Sequence, residues 1–206
     1  MLQVLFEQVL ADKAHGINNR LLLKGDIPKR LNYLLAGNSP RTLHIYGSSG
    51  QTFESDVPWD AICFKQYTTT TRFHLFCVFL LAKDGSGMYL SLNQGVDYLK
   101  GLNSVKKVPS SRRQKHSRYL ESCSCELLGK LGDTTGYITG PIDLRINKPT
   151  STGWFYQYSN IAAKYYQAGA IPTEAHLLQD VLDLLDKYDE LITSVPNYPS
   201  FVYALL

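Results

Sequence analysis

The chain has 206 residues, 44% of them hydrophobic and 19% charged, and a formal net charge of +3. A chain of this size and apolar content buries a core of its own, so neither disulfides nor a structural metal are needed to hold it. The small net charge excludes any argument from bulk charge alone for a nucleic-acid or membrane-surface partner.

Residues 2–13 carry Leu2, Leu5, Val9 and Leu10 on one face at helical spacing, which predicts an opening helix. A second helix is predicted over 28–36, with Pro28 near its first turn and Gly37 just past its end. Leu43 to Tyr46 reads as a short strand running into a turn at Gly47-Ser48-Ser49-Gly50. Three apolar segments follow, at 61–64, 73–81 and 88–92. The last two are separated by Lys83-Asp84-Gly85-Ser86-Gly87, a hairpin signal with a longer loop.

Residues 100–118 change character: Lys100, Lys106, Lys107, Arg112, Arg113, Lys115 and Arg118 fall there without an acidic residue. Residues 140–145 read as a short extended segment. Residues 159–168 are expected to be helical and to end at Gly169. Residues 173–194 predict a long amphipathic helix with Thr173 as its N-cap. The polar face of that helix, with Asp180, Asp183, Asp186, Asp189 and Glu190, reads as a solvated face. The expected fold class is therefore α+β in a single domain, 1–206: a helical part (1–40), a sheet core (41–145) with a basic insertion (100–118), and C-terminal helices (159–194). The sheet is expected to be central, mostly antiparallel and curved.

The four cysteines, Cys63, Cys77, Cys123 and Cys125, make no CxxC pair and no zinc-type cluster, so they read as small apolar side chains in a reducing compartment. The N-terminus has no basic stretch ahead of an apolar run. The longest apolar stretch, Phe73 to Ala82, contains His74 and is about half the length a membrane-spanning helix requires. A cytoplasmic protein with no membrane partner is expected.

Motifs for catalysis are sparse. Gly47-Ser48-Ser49-Gly50 lacks the Lys-Ser/Thr that completes a phosphate-binding loop and is not a nucleophile elbow. Its small residues do let backbone amides approach a phosphate or a base. The histidines His15, His44, His74, His116 and His176 are scattered, without metal-ligand spacing. No cofactor, no metal and no enzymatic activity are expected of these residues. What remains is aromatic and basic: Trp59, Tyr67, Tyr89, Tyr98, Trp154, Tyr156 and Tyr158 offer faces on which bases stack. The basic run 100–118 offers cations for phosphates. Core packing and a solvated loop are the competing readings of the two sets.

The text YGSSGQ…VPWDAI…VFLLAKDGSGMYLSLNQGV, from Tyr46 to Val96, resembles the N-terminal domain of McrB-like restriction proteins. The matching residues are Gly47, Ser48, Gly50 and Gln51, then Val57, Pro58, Trp59, Ala61 and Ile62. They continue with Asp84, Ser86 and Gly87 and with the run Tyr89 to Gly95. Residues 159–192 are similar to the family's closing pair of helices after an Ile-Asp-Leu strand, here Ile142–Leu144.

The resemblance implies a DNA-binding specificity module that reads modified, typically methylated, double-stranded DNA for a restriction and phage-defence system. It implies base flipping as the reading mechanism, and a GTPase motor and a nuclease, in cis or in trans, as the catalytic partners. By the same resemblance Trp59 becomes a pocket wall, Phe76 a neighbouring pocket position, and Ser48, Ser49, Gly50 and Gln51 the loop that approaches DNA. Gln51 stands where the methylcytosine-reading member has a stacking aromatic. Asn93 and Gln94 are candidate polar contacts or turn-stabilising residues. Lys106, Lys107, Arg112, Arg113, Lys115 and Arg118 are the candidate phosphate contacts. The alternative reading is a protein-interaction domain that recruits the motor or nuclease subunit through the acidic last helix or the aromatic surface.

Overall fold

The structure is a computed structural model that describes residues 1–39, 41–50, 54–97, 110–147, 149 and 151–204. For residues 110–113 and 203 the description is of the backbone. Six antiparallel strands form one open sheet: β1 (Leu43–Ser48), β2 (Trp59–Phe64), β3 (Leu75–Leu81), β4 (Gly87–Gln94), β5 (Ile138–Thr139) and β6 (Asn160–Gln167). Their spatial order is β1-β2-β3-β4-β6-β5. The helices are α1 (Leu2–Ala14), α2 (Ile27–Leu35), α3 (Ser110–Leu128), α4 (Thr152–Tyr158), α5 (Glu174–Ser194) and α6 (Tyr198–Ala204). A π-helical turn, Leu22–Asp26, leads into α2.

The strands at the centre are covered on both faces, which explains their apolar runs. Every residue of β3 and β4 is buried, so neither strand shows the alternation of a half-solvated sheet. One face carries Ile62, Phe64, Cys77, Phe79, Leu90 and Leu92 and packs under α1, α2 and α5. Phe64 stacks on Tyr188 of α5, with centroids 4.1 Å apart and planes inclined by 4°. The opposite face carries Ala61, Cys63, Phe76, Val78, Leu80 and Tyr89, and is covered by Ile142, Leu144, Ile146 and the α4 side chains Trp154 and Tyr156.

The expected α+β class, the two N-terminal helices, the β3–β4 hairpin and the closing helix are all present. The Thr173 side chain accepts a hydrogen bond from the His176 amide, as an N-cap should. On α1 the inward face includes Phe6 and leaves Leu5 only partly buried.

Four expectations need correction. Residues 159–168 form not a helix but β6, hydrogen-bonded along β4 from Gly87↔Gln167 to Asn93↔Asn160. The pairing surface offered by β4 overrides the modest helix preference of Ala162, Ala163, Lys164 and Gln167. Ile142–Leu144 is not a strand of the sheet but is tied down where Ile142 N–H donates to the Gln157 carbonyl and Leu144 N–H to Gln157 Oε1. The basic insertion is helical from Ser110 onward, and α3 continues to Leu128. Finally, Asp180 is not on a solvated face: it is 3% exposed, bonded to Tyr166 and paired with Lys164 of β6. No helix among the described residues is long and apolar enough to cross a membrane.

Candidate functional site

Trp59 opens β2, paired with Ser48 of β1 on one side and Leu80 of β3 on the other. That register places its indole on the sheet face opposite α1, α2 and α5, against Tyr46 in an edge-to-face contact (5.2 Å, 85°). The Tyr46 hydroxyl accepts from the Thr71 amide at 2.7 Å and donates to Thr71 Oγ1 at 3.2 Å. The β2–β3 loop is thereby fastened over this end of the face.

A small cavity lies between Trp59 and the strand residues Phe76, Val78, Leu80 and Asn93, closed by Thr71 and by Tyr156 of α4. Its free volume is about 10 Å³, room for roughly one water molecule. Burial holds the Tyr156 hydroxyl protonated far above the ordinary tyrosine range, partly opposed by its interaction with the Trp59 side chain. The walls are aromatic and aliphatic, and Asn93 is the amide among them. Asn93 is 1% exposed, and its Oδ1 has no hydrogen-bond partner among the described residues. A buried acceptor without a donor is uncommon and points to a partner that arrives from elsewhere.

The β1–β2 connection begins beside this cavity. Ser48 Oγ accepts from the Gly50 amide at 3.3 Å, and Gly50 has a φ of 106°, accessible at little cost only to glycine. Ser49 is buried, and its carbonyl accepts from Asn18 Nδ2 at 3.2 Å. The Ser55 carbonyl accepts from Asn18 Nδ2 (2.8 Å) and from Lys13 Nζ (3.1 Å). Both ends of the loop are thus pinned to Asn18, just past α1, and the Ser55 end also to Lys13 of α1, while burial lowers the Lys13 pKa below the usual lysine value. Gln51 lies outside the described residues.

The neighbouring positions Asn93 and Gln94 face opposite ways. Gln94 points to the other side of the sheet, where its Nε2 donates to the Leu120 carbonyl (3.0 Å) and Ser124 Oγ (2.7 Å) of α3. In this structure it anchors α3, a structural role of the kind the sequence offered as the alternative to a polar contact. Neither residue is at the hairpin turn: both close β4 at its far end.

Through that anchor α3 is set beside the cavity-closing helix, since Leu120 of α3 shares an apolar cluster with Val96 and with Phe155, Trp154 and Tyr156 on or beside α4. Lys115 and Arg118 are exposed on the first half of α3. The Arg112 and Arg113 backbone belongs to the same helix, while Lys106 and Lys107 lie outside the described residues. Among the other aromatics, Tyr89 packs on Tyr165, Trp154 on Tyr158, and Tyr67 is 38% exposed. Tyr98 lies outside the described residues.

Two contributors, Thr71 and Asp60, escaped the sequence reading, while Tyr156 is among the aromatics it offers for stacking but is not joined there to Trp59. Thr71 and Tyr156 come from segments remote from the strands they complete. Asp60, next to Trp59 but on the opposite face, is wholly buried, with neither carboxylate oxygen partnered among the described residues. Burial raises its pKa well above the usual aspartate value. A single acid inside the apolar run Trp59–Phe64 was the available signal.

No curated protein and no solved structure matches the chain. The family model described as "MrcB-like, N-terminal domain" matches residues 6–193, which takes in most of α1, all six strands and nearly the whole of α5. The chain belongs to the MrcB-like N-terminal domain family.

Proposed function

We propose that this chain is a DNA-recognition module of a modification-dependent restriction system, and that it reads a base drawn out of the duplex into the cavity between Trp59 and Tyr156. The observation that carries the reading is the combination in that cavity of aromatic walls with Asn93, a buried residue whose amide oxygen has no partner among the described residues. A base offers a π-face for the former and a polar edge for the latter. Family membership supports the restriction context.

Ligand-holding pockets usually enclose about 300–1,000 Å³, far more than this cavity holds. Base entry therefore requires the Trp59 indole and the Tyr156 ring to part. Both are only partly buried, and Tyr156 sits on the short helix α4, so the cover is a small element rather than the sheet itself. Lys115 and Arg118, exposed on the adjacent helix, are suited to phosphates flanking the flipped base. Catalysis is assigned to a GTPase motor and a nuclease, fused or separate, with this domain supplying specificity.

The test is a band-shift titration with duplexes carrying cytosine, 5-methylcytosine, adenine or N6-methyladenine, at several salt concentrations. Binding that weakens steeply with salt and differs among the modified duplexes supports the reading. Absence of binding to every duplex at low salt overturns it.

A further inference from the structure

The Asn93 oxygen, unpartnered among the described residues, is held in its orientation by a one-way chain of hydrogen bonds running across β4 and β6. The chain begins at Asn160, whose Nδ2 donates to two backbone carbonyls, Ile138 (3.2 Å) and Gly140 (2.8 Å). Carbonyls only accept, so the Asn160 amide cannot turn over, and its Oδ1 must be the atom that faces Ser91. Ser91 Oγ lies 2.7 Å from that oxygen and donates its single hydroxyl proton to it. With its proton committed, Ser91 Oγ can only accept from Asn93, whose Nδ2 is 3.2 Å away. The same Nδ2 lies 3.4 Å from the Tyr156 carbonyl, again an acceptor. Both neighbours of the Asn93 nitrogen demand a donor, so the nitrogen stays there and Oδ1 is left as the free acceptor of a residue that lines the cavity. Ser91, Asn93 and Asn160 are each 1% exposed or less, so water does not compete for these bonds.

Resting on the base-reading proposal above, we infer that Asn93 is the specificity-determining residue of the cavity, that Ser91 and Asn160 are its positioning residues, and that the base accepted is one presenting an exocyclic amino group. The amino group meant is the one at pyrimidine C4 or purine C6: cytosine and adenine carry it there, whereas thymine and guanine carry a carbonyl oxygen at that position. Two acceptors facing each other in a buried site leave both unsatisfied, which is the most effective way for a pocket to reject a near-isosteric ligand. A methyl group at the pyrimidine 5-position leaves the amino group intact and meets apolar wall, so this filter is compatible with reading a methylated cytosine.

The experiment compares the intact protein on three duplexes with one target position opposite guanine: 5-methylcytosine, thymine, and a 5-methyl-2-pyrimidinone that lacks the amino group. Thymine and the pyrimidinone pair more weakly with guanine and leave the stack more easily, so ease of extrusion favours them. Weaker binding of both, by about ten-fold as expected for one buried hydrogen bond, therefore reports the lost donor. Equal or tighter binding of either overturns the inference while leaving DNA binding in place. If none of the three duplexes binds, the function proposed above fails together with it.

Ser91→Ala and Asn93→Leu supply the protein side. In Ser91→Ala the Asn93 nitrogen keeps only its longer contact to the Tyr156 carbonyl, so its orientation is less firmly fixed and the preference for 5-methylcytosine over the pyrimidinone should shrink, with the melting temperature tracked in parallel. A preference that survives both substitutions overturns the inference. Should either variant fail to fold, the three-duplex comparison on the unaltered protein still decides.

Discussion

Gly47 and Asp60 face each other across β1 and β2, so close that a Cβ on Gly47 would stand 2.4 Å from Asp60 Oδ1 and 1.7 Å from the Leu23 carbonyl oxygen. The glycine of the Tyr46–Gln51 motif is thus a packing requirement: it lets the π-helical turn Leu22–Asp26 press onto the sheet on the Asp60 side. Gly47→Ala forces a backbone carbonyl to move, and a destabilisation of about 1–3 kcal/mol or more is expected from such overpacking. Chemical denaturation reads it directly. An alanine variant as stable as the parent would mean that the turn is not seated on β1.

Asp60 makes a prediction of opposite sign. Its carboxyl is buried with no partner among the described residues, and burial raises its pKa in the folded chain above the unfolded value near 3.8. Between those two values the folded chain binds the extra proton, so stability falls as pH rises. Below about pH 3.8 the group is protonated in both states and contributes no pH dependence. Asp60→Asn keeps the shape and removes the ionisation. The variant should melt higher than the parent at neutral pH, with the difference shrinking toward pH 4. Melting curves from pH 4 to 8 check this, and a parent that is the more stable protein at pH 8 would refute it.

These two residues also mark where sequence legibility stops. The hairpin between β3 and β4 and the helix α5 were legible because their signals are local: Asp84-Gly85 between apolar runs, and Thr173 ahead of a 3.6-residue period. The strand β6 was not, because its state depends on pairing with β4, far away in sequence, and Ile161 and Tyr165 mimic helical spacing. In α3 the buried positions Leu120, Cys123 and Leu127 do show that spacing, but the run of basic residues before them drew the reading toward charge. Trp59 and Phe76 could be placed in one pocket through family resemblance. The Asn160–Ser91–Asn93 relay could not, since it exists only once β4 and β6 lie side by side.

Glu174 ties three helices together from the first turn of α5. Its carboxylate accepts from the Arg30 guanidinium of α2, by Nε at 2.9 Å and by Nη2, and from the Leu2 amide at the start of α1. The hydrogen bonds from Arg30 are the main cause of a pKa lowered to about 2, against an ordinary glutamate value near 4.5. A depressed carboxylate stabilises the fold above the unfolded pKa and loses that contribution as pH falls through the folded one. The parent should therefore melt above Glu174→Gln at pH 6, and the two curves should converge between about pH 4.5 and 2. Parallel curves through that window would show that the ion pair is not what Glu174 contributes.

Lys115 and Arg118 are exposed on α3, whereas Trp59 lines the cavity, and the two kinds of residue should fail differently. Phosphate contacts carry no sequence information, and each one lost reduces the salt slope by about one unit. Lys115→Gln with Arg118→Gln should weaken binding to modified and unmodified duplexes alike and flatten the dependence on salt. Trp59→Ala removes a stacking wall, worth about 1–3 kcal/mol per base, and should instead narrow the gap between duplexes with little change in salt slope. Fluorescence anisotropy over a salt series separates the two quantities. Uniform weakening by Trp59→Ala with discrimination intact would place base reading outside the cavity. Selective loss in the charge variant would mean that α3 reads bases rather than phosphates.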